Sequence, residues 1–67
     1  MPVYEVRAEE MDGSERRFEW KEPAEVGDYI RESMTTYRVV LIRPDESGRH
    51  DGIIEAQWRI APPITDL

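Results

Sequence analysis

A chain of 67 residues with no cysteine holds one domain at most, without disulfide or thiolate–metal support. Fifteen acidic against nine basic side chains, a formal charge of -6, disfavour non-specific attachment to nucleic acid or an anionic membrane. No stretch approaches the roughly 18–20 apolar residues of a membrane span, and Met1–Glu10 lacks the basic and apolar regions of a secretory signal. A cytoplasmic protein is therefore expected. Folding buries only about 60% of the surface of so short a chain, which leaves a narrow margin of stability.

Charged residues make up 36% of the sequence, a level compatible with disorder. Their distribution points the other way, because apolar residues gather in periodic clusters separated by turn chemistry. Val3 to Glu9 alternates Tyr4, Val6 and Ala8 with Glu5, Arg7 and Glu9, the period of a half-buried strand. Arg16 to Lys21 sets Phe18 and Trp20 on one face and Arg17, Glu19 and Lys21 on the other. A two-residue turn on Asp12-Gly13 would send Phe18 and Trp20 to the face opposite Tyr4 and Val6. A three-residue loop, Met11-Asp12-Gly13, pairs Val6 with Phe18 and Tyr4 with Trp20, and puts Gly13 at the left-handed bulge position. The three-residue loop is predicted.

Glu22 to Met34 admits two readings. Val26, Tyr29, Ile30 and Met34 recur at helical spacing behind Pro23, whereas Gly27-Asp28 is turn-like and Gly27 costs a helix about 1 kcal/mol. The extended reading is preferred: a turn at Gly27-Asp28, a short strand Tyr29 to Glu32, and a turn at Ser33 to Thr36. Tyr37 to Arg43 is β-branched and nearly continuous in hydrophobicity, the strongest strand of the chain. Its companion, Ile53 to Ile60, alternates Ile54, Ala56, Trp58 and Ile60 with Ile53, Glu55, Gln57 and Arg59. A polar loop, Pro44 to Gly52, separates them. Pro62 and Pro63 prevent the tail from continuing a central strand.

The string Glu25-Val26-Gly27-Asp28-Tyr29-Ile30, followed by Tyr37-Arg38-Val39-Val40, resembles small SH3-like β-barrels. In these an apolar-Gly-Asp-x-apolar entry leads into a hairpin whose return strand reads aromatic-x-Val-Val. The resemblance covers about a third of the chain and stops at the level of a superfold. Such barrels usually carry glycine in the turn where this chain has Met34. The superfold hosts protein-, peptide- and nucleic-acid-binding domains alike.

Candidate sites divide into those the pattern disfavours and one it supports. Asp45 to Asp51 has several metal-ligating side chains, but neither the ligand alternation nor the closing glutamate of a calcium loop. His50 is the only histidine, and it lacks partners at the spacing of a zinc site. Serines 14, 33 and 47 have no nucleophile-elbow context, and so short a chain can hardly enclose a substrate pocket. No enzyme, cofactor or metal is expected, with His50 and Asp51 the only pair worth testing for catalysis. Most of the six aromatics share the core parity of their strands, so they read as core rather than as a base-stacking platform.

One feature exceeds what a core needs. Matching the inner faces of the last two strands places Tyr37 by Trp58, Val39 by Ala56 and Leu41 by Ile54. The opposite face then carries Val40 by Glu55 and Ile42 by Ile53, more apolar surface than a wet face requires. The predicted fold is all-β: a small antiparallel SH3-like partly open barrel of about five strands over residues 1–60, with 61–67 an extended or frayed tail. The alternative is ββαββ with a helix near 23–34. The predicted function is a non-catalytic protein-interaction module or small subunit using Val40, Ile42 and Ile53 to bind another protein or a second copy. The alternative is a nucleic-acid-binding barrel using aromatics with Arg16, Arg17, Arg38 and Arg59.

Overall fold

A computed structural model describes residues 1–58; the readings of Arg59, Ile60 and the tail lie outside them. Five strands form, β1 (Tyr4–Glu9), β2 (Glu15–Trp20), β3 (Tyr29–Glu32), β4 (Thr35–Arg43) and β5 (Gly52–Trp58). No helix occurs among the described residues, so residues 23–34 are turn and strand, and the ββαββ alternative falls away. The strand order is β2-β1-β5-β4-β3, and the sheet curls into a half-barrel. It is mixed rather than wholly antiparallel, because β1 lies parallel to β5. Two antiparallel units, the β1–β2 hairpin and the β3–β4–β5 meander, join along that seam. Paired backbone and side-chain bonds fasten its start: Val3 N donates to Asp51 Oδ2 at 2.7 Å, and Asp51 N donates to Val3 O at 2.7 Å.

The first hairpin has the register that parity requires, Val6 opposite Phe18 and Tyr4 opposite Trp20. Glu10 N donates to Ser14 O at 2.8 Å, which leaves Met11, Asp12 and Gly13 as the loop, with Gly13 at φ 89°. Alternation then sends one side chain of each pair inward. Val6, Ala8, Ile30, Tyr37, Val39, Ile54 and Ala56 form the buried core, and Tyr4, Phe18, Trp20, Ala24, Ile42 and Trp58 pack around it. Five of the six aromatics therefore serve the interior; Tyr29 alone is exposed. The edge strands meet at one point, where Arg16 of β2 reaches Ser33 Oγ (3.0 Å) and Glu32 Oε2 (3.4 Å) at the end of β3. Phe18 and Tyr37 touch across the interior with ring centroids 5.8 Å apart.

Gly52 occupies a crowded corner. A Cβ there would stand 3.1 Å from Arg43 O and 3.2 Å from the Tyr4 ring. Backbone oxygen and a packed ring give way poorly, so Gly52→Ala is expected to cost about 1–3 kcal/mol. Urea unfolding followed by tryptophan fluorescence measures this as a lower midpoint at unchanged slope.

The β4–β5 register departs from expectation halfway along. Tyr37 faces Trp58 and Val39 faces Ala56 as predicted, but a bulge then shifts the pairing so that Leu41 faces Glu55 and Ile42 faces Ile54. A bulge sets two residues against one and reverses the parity of everything beyond it. Ile42 consequently packs on the core, while Val40 and Leu41 are both exposed, at 41% and 46%. The surplus apolar residue of the outer face has been taken into the interior, and Leu41 has come out.

Candidate functional site

The bulge redraws the predicted contact surface. Val40 is exposed, but Ile42 is half-buried on the inner side and Ile53 is only 4% exposed. The three do not form one surface. The outer face of β3 and β4 carries a different set. Ile30 and Tyr37 pair and point inward, so their neighbours Tyr29 and Arg38, also directly paired, point outward. Arg31 lies two residues on from Tyr29, and Val40 two residues on from Arg38; both are exposed. Leu41 extends the group at the bulge. Among the described residues neither Arg31 nor Arg38 makes an ion pair or a side-chain hydrogen bond. Arg16 and Arg17, by contrast, are engaged by Glu32 (3.4 Å), and by Glu5 (3.7 Å) and Glu15 (3.4 Å) respectively. Two of the four cations of the nucleic-acid reading are thereby neutralised, and Arg59 lies outside the described residues.

A second cluster assembles where the β4–β5 loop meets the outer face of β1 and β2. Asp45 organises the loop: its Oδ1 accepts from Ser47 N (2.9 Å) and Ser47 Oγ (2.7 Å), and its Oδ2 from His50 N (2.9 Å). The same Asp-x-Ser device closes the first hairpin, where Asp12 Oδ1 accepts from Ser14 N and Ser14 Oγ. The His50 ring sits between two carboxylates, Nδ1 at 3.3 Å from Asp45 Oδ2 and Nε2 at 3.4 Å from Glu19 Oε2. Glu5 completes the group, with one ligating atom each of Glu5, Asp45 and His50 lying within 4.8 Å of the others.

This cluster contains a hydroxyl, an imidazole and a carboxylate, but wired unproductively for nucleophilic catalysis. Asp45 lies between Ser47 and His50, so the hydroxyl gives its hydrogen bond to the acid rather than to the imidazole. His50 and Asp51 do not work as a pair either, because the Asp51 carboxylate accepts from Val3 N.

The Ser47 hydroxyl, opposed by desolvation and joined by the backbone N–H groups of Ser47 and His50, holds the Asp45 carboxyl at about 2 against the ordinary 3.8. A carboxyl whose folded value is depressed contributes stability above its unfolded value and loses it as pH falls through the folded one. Stability is therefore expected to drop between about pH 4 and pH 2, and less steeply in Asp45→Asn. Urea midpoints recorded across that interval for both proteins test it; parallel slopes would remove Asp45 from the acid response.

Sequence reasoning missed Tyr29, Arg31, Arg38 and Leu41 as one surface, and Glu5 and Glu19 as neighbours of His50. The hairpin register made the Glu5–Glu19 pairing available, since it follows from Val6 opposite Phe18. The bulge left no comparable signal. No family model, curated protein or solved structure matches this chain.

Proposed function

We propose that this chain is a non-catalytic protein-interaction module whose outer β3–β4 face takes an extended segment of another protein carrying acidic and apolar side chains. The observation that carries the proposal is the pair of unneutralised guanidinium groups, Arg31 and Arg38, set among Tyr29, Val40 and Leu41 on a chain of net charge -6. On the other strands Arg7, Arg17 and Arg43 sit against acids; on this face the charge is left for a partner. Arg and Tyr are the residues that most often dominate binding energy, since each combines a wide contact surface with directed hydrogen bonding. Val40 and Leu41 supply the apolar area that anchors such contacts. The resemblance of Glu25 to Ile30 and Tyr37 to Val40 to SH3-like barrels agrees with peptide recognition, one of the uses of that architecture.

A second copy of the chain is a poorer occupant, because two surfaces of the same sign would have to meet face to face. Nucleic acid is disfavoured by the overall charge and by the acids that hold Arg16 and Arg17.

The test is selection from a displayed random-peptide library on the folded chain, followed by calorimetry of the selected peptides. Selected sequences are expected to combine Asp or Glu with apolar residues. Their affinity is expected to fall about tenfold or more with Arg38→Glu or Leu41→Thr, the cost of removing one anchor of about 1.4 kcal/mol. Three results would overturn the proposal: peptides without acidic residues, affinity indifferent to both substitutions, or tight salt-sensitive binding of a single-stranded oligonucleotide instead. A stable dimer dissociated by Leu41→Thr would do so as well, by giving the surface to a second copy.

A further inference from the structure

We propose that His50, Glu5, Glu19 and Asp45 form a binding site for a divalent cation of the zinc class, which clamps the β4–β5 loop onto the β1–β2 hairpin. The site is independent of the β3–β4 face. Its donors come from three separate stretches of chain, so no sequence spacing announces it.

Three observations converge on a cation. First, both ring nitrogens of His50 face carboxylate oxygens, at 3.3 Å and 3.4 Å. A neutral imidazole has a single N–H. If Nδ1–H points to Asp45, Nε2 meets Glu19 Oε2 as acceptor against acceptor unless a cation, a second ring proton or a metal ion, lies between them. Second, Glu5 and Glu19 stand directly opposite each other on β1 and β2, on the same outer face as His50. Like charges at directly opposed positions repel, and the neighbouring Arg7 and Arg17, 3.6 Å and 3.7 Å from Glu5, offset that repulsion only from the side. Third, the half-buried Glu5 carboxylate accepts no hydrogen bond among the described residues. Arg7 Nε and Arg17 Nη1 approach it only to 3.6 Å and 3.7 Å, and Arg7 Nε is itself buried without a hydrogen-bond partner. The half-buried Glu5 carboxylate, the Asp45 carboxylate and the His50 ring thus bring one ligating atom each within 4.8 Å of the others, and Glu19 faces the ring at 3.4 Å.

The spacing suits the proposed ion. Donors about 2.1 Å from a tetrahedral centre lie about 3.4 Å from one another, close to the His50–Glu19 separation. One imidazole and several carboxylates suit a borderline cation better than calcium, which prefers six or more oxygens. Asp45 has its oxygens largely occupied by Ser47 and by His50 N, and it fits the role of orienting His50 through Nδ1–H. Arg7, Arg17 and Arg49 line the same depression, so a bound ion makes the site cationic where three carboxylates now offset them. That repulsion favours modest rather than picomolar affinity.

The experiment is calorimetric titration of zinc chloride into protein freed of metal by chelator and dialysis, alongside urea unfolding with and without zinc. One ion per chain is expected at micromolar affinity, with a saturable rise in the urea midpoint that excess chelator reverses. Glu5→Gln and Glu19→Gln, which remove one donor each and relieve carboxylate repulsion in the unliganded fold, are expected to weaken binding about tenfold or more. His50→Gln is expected to abolish it. Circular dichroism establishes that each variant is folded, so loss of binding in the two glutamine-for-glutamate variants counts even if His50→Gln fails to fold. Absence of binding at millimolar zinc would overturn the proposal. So would affinity unchanged in both Glu5→Gln and Glu19→Gln, which would place the ion elsewhere.

Discussion

Tyr37→Ala is expected to leave the chain largely unfolded in water at room temperature. Tyr37 has no exposed surface and is the largest of the fully buried side chains. It sits on β4 between Ile30 of β3 and Trp58 of β5, and meets the Phe18 ring from β2 across the half-barrel. One side chain thus contacts both edges and the middle of the sheet. Truncating a buried aromatic to alanine costs about 3–5 kcal/mol, through lost transfer energy and the cavity left behind. A folded unit of this size has on the order of 3–9 kcal/mol in total, so the substitution removes most of its margin. Loss of the tryptophan fluorescence transition in urea would register it; a cooperative transition with a near-normal midpoint would show that the core closes over the gap.

Tyr37→Phe separates packing from polarity. The hydroxyl donates to Glu10 Oε2 at 2.5 Å, tying the barrel wall to the start of the first loop. Its loss is expected to cost about 1 kcal/mol, because Glu10 is only half-buried and can turn to water. The same contact gives an alkaline signature. Burial, and then the hydrogen bond and charge of Glu10, push the Tyr37 hydroxyl above its ordinary value of 10. A raised folded value means a stabilising contribution that is complete below pH 10 and disappears as pH rises beyond it. Wild type should therefore lose stability more steeply than Tyr37→Phe above that pH.

Met34→Gly is expected to stabilise the protein by about 1 kcal/mol. β3 and β4 are joined by a two-residue turn, Ser33-Met34, with both residues in the left-handed region at φ 54° and 65°. That is the backbone of a type I′ hairpin, which matches the twist of the strands but suits Asn-Gly rather than a long side chain. Each non-glycine residue there carries a Cβ clash of roughly 1–2 kcal/mol, part of which glycine gives back through its freer unfolded state. Met34 is 94% exposed, so removing its side chain sacrifices almost no packing. Ser33 is different, because its hydroxyl accepts from Arg16 and helps to hold β2 to the end of β3. Ser33→Asn together with Met34→Gly should accordingly gain little over Met34→Gly alone. A higher urea midpoint for Met34→Gly with no gain for Met34→Ala would establish that backbone strain is responsible.

Much of the architecture was legible because strand parity is unforgiving. Phe18 and Trp20 could reach the face of Tyr4 and Val6 only through an odd-numbered loop, and Gly13 was available for its left-handed position. Gly27-Asp28 marked a turn against the helical spacing of Val26, Tyr29, Ile30 and Met34, and tertiary pairing of Tyr29–Glu32 with β4 bears that out. The bulge between Val39 and Leu41 was not legible, because Val-Val-Leu-Ile offers no glycine or polar residue to mark it. An unbroken apolar run hides a parity change, and with it the inward, half-buried position of Ile42. The parallel β1–β5 seam was hidden for another reason: it pairs strands from opposite ends of the chain, and local pattern carries no record of such neighbours. The same long-range pairing brings Glu5 to the Asp45–His50 loop.

The most direct test of the functional account is nitrogen–proton correlation spectroscopy of the labelled protein, titrated with a peptide obtained by display selection. The account predicts amide shift changes concentrated at Tyr29, Arg31, Arg38, Val40 and Leu41, with those of Ala8, Val6 and the Asp45–His50 loop unmoved. Changes centred on the β2 edge or on that loop, with the β3–β4 face silent, would contradict it.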